Sequence, residues 1–183
     1  MLKNTAHSYG KLARAFHWLG ALGVIVALVL IELRGFTPKG TAIHDAMRYG
    51  HIQAGLIVLL LLLPRLLWRV SNREPVITPA PKPSAMLLAH LAHWALYALM
   101  LAIPLLGVAM VQGGGKDVVF LGNTLPAFFT ISKDLAHQLK ELHELLGNVI
   151  MWLAGLHIAA AIWHHRAAGD DTLSRMTGPI RGD

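Results

Sequence analysis

His143 and His157 stand fourteen residues apart in one apolar stretch near the end of a 183-residue chain. At about 1.5 Å and 100° per residue, fourteen residues close nearly four helical turns, so the two imidazoles share one face and lie roughly 21 Å apart along the axis. That leaves room for two flat metal-bearing discs stacked in depth, each needing a second imidazole from another helix at its own level. His17 and His51 stand where such partners would have to be. Four histidines so placed could hold two bis-histidine haems within a membrane helix bundle.

Such residues need long helices in a medium without water, and the composition supplies them. The chain is 55% hydrophobic and 14% charged, which reads as an all-α membrane protein rather than a soluble globule, with one domain over residues 1–183. It has no cysteine, so disulfides, thiolate metal sites, iron–sulfur clusters and covalently attached haem are excluded. Four segments, near 15–33, 52–68, 85–111 and 145–163, carry the apolar run of about 20 residues that a bilayer crossing requires. They predict a four-helix transmembrane bundle with both termini on one side. The stretch WLGALGVIVALVLI resembles a secretory leader, but no small-residue cleavage site follows it and three more spans do, so it is read as a retained helix.

Charge sets the expected orientation. Lys3, Lys11 and Arg14 precede the first span, Arg65, Arg69, Arg73 and Lys82 flank the link between the second and third, and Arg166, Arg175 and Arg181 follow the fourth. The other two loops hold Arg34, Lys39, Arg48, Lys116, Lys133 and Lys140, offset by Glu32, Asp45, Asp117, Asp134, Glu141 and Glu144. The formal charge of +6 therefore falls wholly on the terminal side. By the positive-inside rule that side is cytoplasmic. The basic balance is a topology signal, and no nucleic-acid partner is needed to account for it. NREPVITPAPKPS should be an extended linker without a fold of its own, and much of the link from Gln112 to Leu142 should lie on the outer surface, ending in an amphipathic lead-in around DLAHQLKELHELL.

Depth pairs the histidines. The first span carries His17 at its inner end and the second carries His51 at its outer end, while the fourth carries His143 outside and His157 inside. His51 with His143 and His17 with His157 are the level pairs. A porphyrin can lie against a helix only where the next turn is small, and Ala21, Gly55, Gly147 and Ala161 follow the four histidines at the fourth residue. His90 and His93 of the third span are followed there by Trp94 and Tyr97, so they are read as neighbours of the haem or of a quinone. His164 shares the face of His157 and is read as interfacial. Each feature also has a plainer explanation: histidines near an interface can simply be hydrated, and small residues let membrane helices approach. The matched depths favour ligation over both.

Arg14, Arg48 and Lys140 each stand three residues before a proposed ligand, where they could meet haem propionates by charge-assisted hydrogen bonds. Arg65, fourteen residues after His51, should lie level with the inner pair, facing either a haem or the cytoplasmic interface.

These residues lie in strings that resemble the four-span bacterial cytochrome b561 family, particularly its superoxide:ubiquinone oxidoreductase branch. They are FHWL at Phe16–Leu19, ELRGFTP at Glu32–Pro38, GHIQAG at Gly50–Gly55, PAPKP at Pro79–Pro83, LAHLAHWALY at Leu88–Tyr97 and LHELLGNVIMWLAGLHIAAAIWHH at Leu142–His165. The outer loop from Gly113 to Ser132 matches least well. The resemblance implies two haem b groups on His17, His51, His143 and His157. It also implies electron transfer from superoxide or another periplasmic donor to ubiquinone or a related quinone within membrane lipid. Arg34, Arg48 and Lys116 could attract the anion, but the outer face has no net charge by count, so only local clustering would achieve it. Two rival functions stay open: a haem subunit relaying electrons for a periplasmic partner protein, and a histidine-based metal transporter.

Overall fold

The structure is a computed structural model that describes residues 1–178; Arg181, counted above among the terminal-side cations, lies outside the described residues. Four helices long and apolar enough to cross a membrane run α1 (Lys11–Arg34), α2 (Ala42–Ser71), α3 (Pro83–Gly113) and α4 (Lys133–Trp163). A two-residue hairpin, β1 (Val119–Phe120) with β2 (Asn123–Thr124), lies between α3 and α4. A π-helical turn (His164–Ala168) and the short α5 (Ser174–Thr177) complete the chain.

Two helices begin well before their apolar runs. Thr41 caps α2 by accepting from His44 N–H, and Ser132 caps α4 by accepting from Leu135 N–H at 3.2 Å. The segment expected as an amphipathic lead-in forms the first part of α4 itself, carrying Asp134 in its first turn and a Lys140–Glu144 pair at 2.8 Å. Hydropathy marks where lipid begins, whereas backbone hydrogen bonding continues into the polar turns. His51 and His143 consequently sit more than two turns inside their helices, on rigid backbone.

The helices pack as two antiparallel hairpins, α1 with α2 and α3 with α4, and the hairpins meet mainly through α2 and α3. Val58 and Ile150, each seven residues beyond a far-end histidine on the same face, are buried at mid-depth with Leu62, Tyr97 and Met100. This apolar layer separates the two ends of the bundle. Leu22, Val29, Leu60, Leu63, Trp152 and Leu156 point outward, as lipid-facing side chains must.

At the end away from the termini, the loop penetrates further than a surface link. Val118 is 1% exposed and wedges against Leu56 and Val108. The hairpin turns through Leu121 and Gly122, both at positive φ (48° and 82°), the pattern of a type I′ turn. Gln53 of α2 ties it down, donating to Val119 O at 2.7 Å and accepting from Leu121 N–H at 2.9 Å. Gln112 does the same for the residues that follow, donating to Pro126 O and accepting from the N–H groups of Phe128 and Phe129.

At the other end both termini close over the proline linker. The linker is extended, as expected, but stitched on both sides: Val76 N–H donates to Ala6 O, Arg175 to Pro75 O, and Thr78 N–H to Asp171. His164 donates to the buried Asp170 carboxylate at 2.5 Å. Burial raises the Asp170 pKa, but the Thr172 and His164 donors outweigh it and hold the group below the ordinary carboxylate value. A depressed folded pKa stabilises above the unfolded value of about 3.9 and is lost as pH falls through the folded one. Asp170→Asn is therefore expected to speed protease cleavage within residues 169–178 at neutral pH. The difference from wild type should shrink as pH falls below the unfolded value of about 3.9 and through the folded one; equal cleavage at neutral pH would show that the carboxylate does not hold this segment.

Candidate functional site

The structure brings His51 of α2 to His143 of α4, with ring centroids 6.1 Å apart, and His17 of α1 to His157 of α4, with centroids 6.4 Å apart. Two imidazoles bound on opposite sides of one metal, with nitrogen–metal distances of about 2.0–2.1 Å and ring centres about 1.2 Å behind the nitrogens, need roughly 6.4 Å. Both pairs meet that requirement. Each also spans the gap between the two hairpins, because α1 and α2 supply one member and α4 the other.

The far-end pair is held by its backbone surroundings. His51 Nδ1–H donates to Ala27 O at 2.8 Å, and His143 Nδ1–H donates to Ile103 O at 2.9 Å. Those bonds select the tautomer with the Nε2 lone pair free for a metal and orient each ring. Gly107 matters here and was missed by the sequence reading. A Cβ at Gly107 would stand 3.2 Å from His143 Cε1, so this glycine lets the imidazole reach the carbonyl one turn earlier on α3. The available signal was a glycine four residues after Ile103, but only the α3–α4 packing gives it meaning.

A cavity of about 800 Å³ surrounds His51 and His143, within the usual range for cofactor sites. Gly55 and Gly147, one turn beyond the two histidines, both line it, and a Cβ on either would meet nothing within 4 Å. Leu28, Leu56, Val58 and Ile150 form apolar walls. The mouth gathers Arg34, Arg48, Lys116, Lys133 and Lys140 against Glu32 and Glu144, a local excess of basic groups on a face that has none by count. Arg34 Nε is buried there without a partner among the described residues. Paired imidazoles, cleared faces, apolar walls and a cationic mouth fit a porphyrin carrying propionates.

The terminal-end pair is built differently, and neither His17 nor His157 lines this cavity. Arg65 donates to His17 Nδ1 at 3.0 Å and lies 5.1 Å from the Tyr97 ring centre. Gly20 does not open an empty face: a Cβ there would stand 3.4 Å from Arg65 Nη1 and 3.7 Å from Met100 Cε. His93 is 5.2 Å from His157, closer than a trans pair requires, and so adjoins the site as a third imidazole; His90 is exposed. Arg14 is turned away from His17, its guanidinium donating to the Thr177 carbonyl in the closure of the termini. His164 is engaged with Asp170.

Among the described residues no three His, Asp or Glu side chains converge on a metal-ion site. The histidines meet in level pairs within a four-span bundle that has no cysteine, an arrangement that fits a membrane cytochrome with non-covalent haem. The family model for prokaryotic cytochrome b561 matches residues 8–179, and the chain belongs to that family. Membership implies b-type haem and transmembrane electron transfer. The chain is 37% identical over 174 residues to "Probable superoxide oxidase CybB" of Yersinia pestis, covering 95% of this chain and 98% of that one. It is 36% identical over 168 residues to "Cytochrome b561 homolog 1" of Escherichia coli K12, covering 92% and 96%. A third relative, "Cytochrome b561 homolog 2" of the same organism, is 31% identical, with 98% and 96% covered.

Proposed function

We propose that the protein holds two b-type haems, one on His51 and His143 and one on His17 and His157, and oxidises superoxide at the far end while reducing ubiquinone. The observation that carries this reading is the pair of imidazole separations, 6.1 and 6.4 Å, at opposite ends of one bundle. Haem held on such pairs supplies one-electron chemistry without an open coordination site. The chain's own contribution is to fix the rings, exclude water by the Val58–Ile150 layer and present charge at the mouth.

The basic excess at the terminal end supports an orientation with both termini in the cytoplasm of an inner-membrane protein and the cation-lined cavity outside. Superoxide as donor is supported by that mouth together with the printed name of the Yersinia relative. Balance is simple: one superoxide yields one electron and O₂, and two such electrons with two protons convert a quinone to its quinol. No soluble redox domain or nucleotide-binding loop is evident in the sequence, so the quinone is taken from the lipid phase.

The deciding experiment is reduction of purified holoprotein by superoxide, followed by absorbance, with and without added ubiquinone. Reduction should be prompt and the reduced bands should decay when quinone is present. Because exposed charges are screened over about 10 Å at 0.1 M salt, the bimolecular rate should fall as ionic strength rises. Arg34→Gln, Arg48→Gln and Lys116→Gln should each slow it on the order of threefold at low salt. A rate indifferent to salt and to all three substitutions would reject electrostatic attraction. No reduction under any condition would reject superoxide itself and favour a role as haem subunit for a periplasmic redox protein.

A further inference from the structure

We propose that the side-chain amides of Gln53 and Gln112 clamp the outer loop as one wall of the far-end cavity, and that this wall restricts the electron donor to a small molecule. The inference rests on the far-end haem of the reading above and deepens it by naming the residues that set donor size. Gln53 follows His51 by two residues on α2, about 200° around the helix, and it does not line the cavity. It is half-buried, and both ends of its amide engage one strand: Nε2 donates to Val119 O at 2.7 Å and Oε1 accepts from Leu121 N–H at 2.9 Å. A carbonyl and an N–H two residues apart are what a neighbouring strand would pair with, so this side chain stands in for a third strand beside a two-stranded hairpin. Gln112, near the end of α3, holds the returning limb, donating to Pro126 O at 2.8 Å and accepting from Phe128 and Phe129 N–H at 3.0 and 3.2 Å.

What the two amides hold in place is part of the site. Lys116 and Val118, alternate residues just before β1, both line the cavity that contains His51 and His143. Val118 fills the gap between Leu56 of α2 and Val108 of α3, so the cavity is closed there by the loop and not by a helix. Gly113 admits the return of the chain: a Cβ there would stand 2.7 Å from Ile131 Cδ1 and 3.0 Å from Ala136 Cβ, which brings the loop directly against the start of α4. A hairpin of two-residue strands has little stability of its own, so its position is set by groups outside it. Held this way, the loop leaves the cationic mouth as the way in for a small anion and keeps a protein donor at its outer surface.

The sequence has no cysteine, so Val118→Cys puts a single thiol in this wall. In otherwise unchanged holoprotein that buried thiol should react slowly with a small maleimide. Gln53→Met and Gln112→Met keep the side-chain length and remove the hydrogen bonds. Each should raise the labelling rate about tenfold, the effect on local opening of losing two or more such bonds. Donor size is read in a His157→Ala background, in which the far-end haem is the one retained on the proposed pairing. The reduced protein is mixed with ferricyanide or with an acidic blue-copper protein, acceptors of one electron that share a sign of charge and differ in size. Gln53→Met should leave the ferricyanide rate within about twofold and raise the copper-protein rate about fivefold. Unchanged labelling in both glutamine variants would overturn the inference, and so would faster labelling with the two acceptors speeded equally. A His157→Ala protein without haem would count against the two-haem reading instead; labelling, which needs no haem, still decides whether the amides hold the wall, and the two acceptors are then compared on protein with His157 in place.

Discussion

Replacing His143 with Ala is expected to leave one haem per chain, the terminal-end one, and replacing His157 with Ala to leave the far-end one. On the proposed pairing each variant would remove one of the two nitrogens holding a haem, and His143 and His157 stand roughly 21 Å apart along α4. Between them lies the packed layer of Val58, Ile150, Leu62 and Met100, so collapse at one end need not reach the other. His93→Ala should retain both haems, because its ring is too close to His157 for the trans position. Pyridine-haemochrome quantitation on protein of known concentration reads the result directly. Two haems remaining in either ligand variant would remove the basis for the pairing.

Gly55→Leu is expected to expel or tilt the far-end haem from a protein that is otherwise folded. A Cβ at this position meets no protein atom within 4 Å, so a larger side chain enters the cavity without pressing on a helix. Gly50 is the instructive contrast. A Cβ there would come within 2.8 Å of Leu30 Cδ1, so Gly50→Leu should strain the α1–α2 hairpin without entering the cavity beside His143. Leu60→Ala, at a residue 61% exposed to the lipid side, should change haem content little. The readouts are haem content and the reduced spectrum, beside a thermal melt of the helices. A normal spectrum in Gly55→Leu would mean that the glycine does not serve a porphyrin face, and would weaken the same argument for Gly147.

The legible part of this protein is what repeats along a helix. Four apolar runs without cysteine admit few folds in lipid, because every backbone polar group must be satisfied within its own segment. The fourteen-residue interval from His143 to His157 is a statement about one helix face, and the level of His17 and His51 follows from counting spans. Gly55 and Gly147 were legible for the same reason, each lying one turn from its histidine on the same helix.

What stayed hidden depends on two segments meeting. Gly20, three residues after His17, offers no open face, because α1 packs tightly on α2 and Arg65 and Met100 fill its slot. Arg14 and Arg65 both seemed placed for the inner site; the closure of the termini draws Arg14 to Thr177, while Arg65 reaches His17. The far loop carried no periodicity, and only Gln53, Gln112 and the buried Val118 determine how deep it sits. Outer charges that cancel by count become a cationic mouth once α1, α2, α4 and the loop converge on one cavity.

The chain by itself thus determined that there would be four helices, two histidine levels and a basic terminal side, since each of these is set by composition or by the 3.6-residue period. Tertiary structure alone decided that the far-end histidines would donate to carbonyls of α1 and α3 while a cation would stand against His17. Those contacts arise from helix rotation and close approach, which depend on side chains from two segments at once and leave no pattern in either.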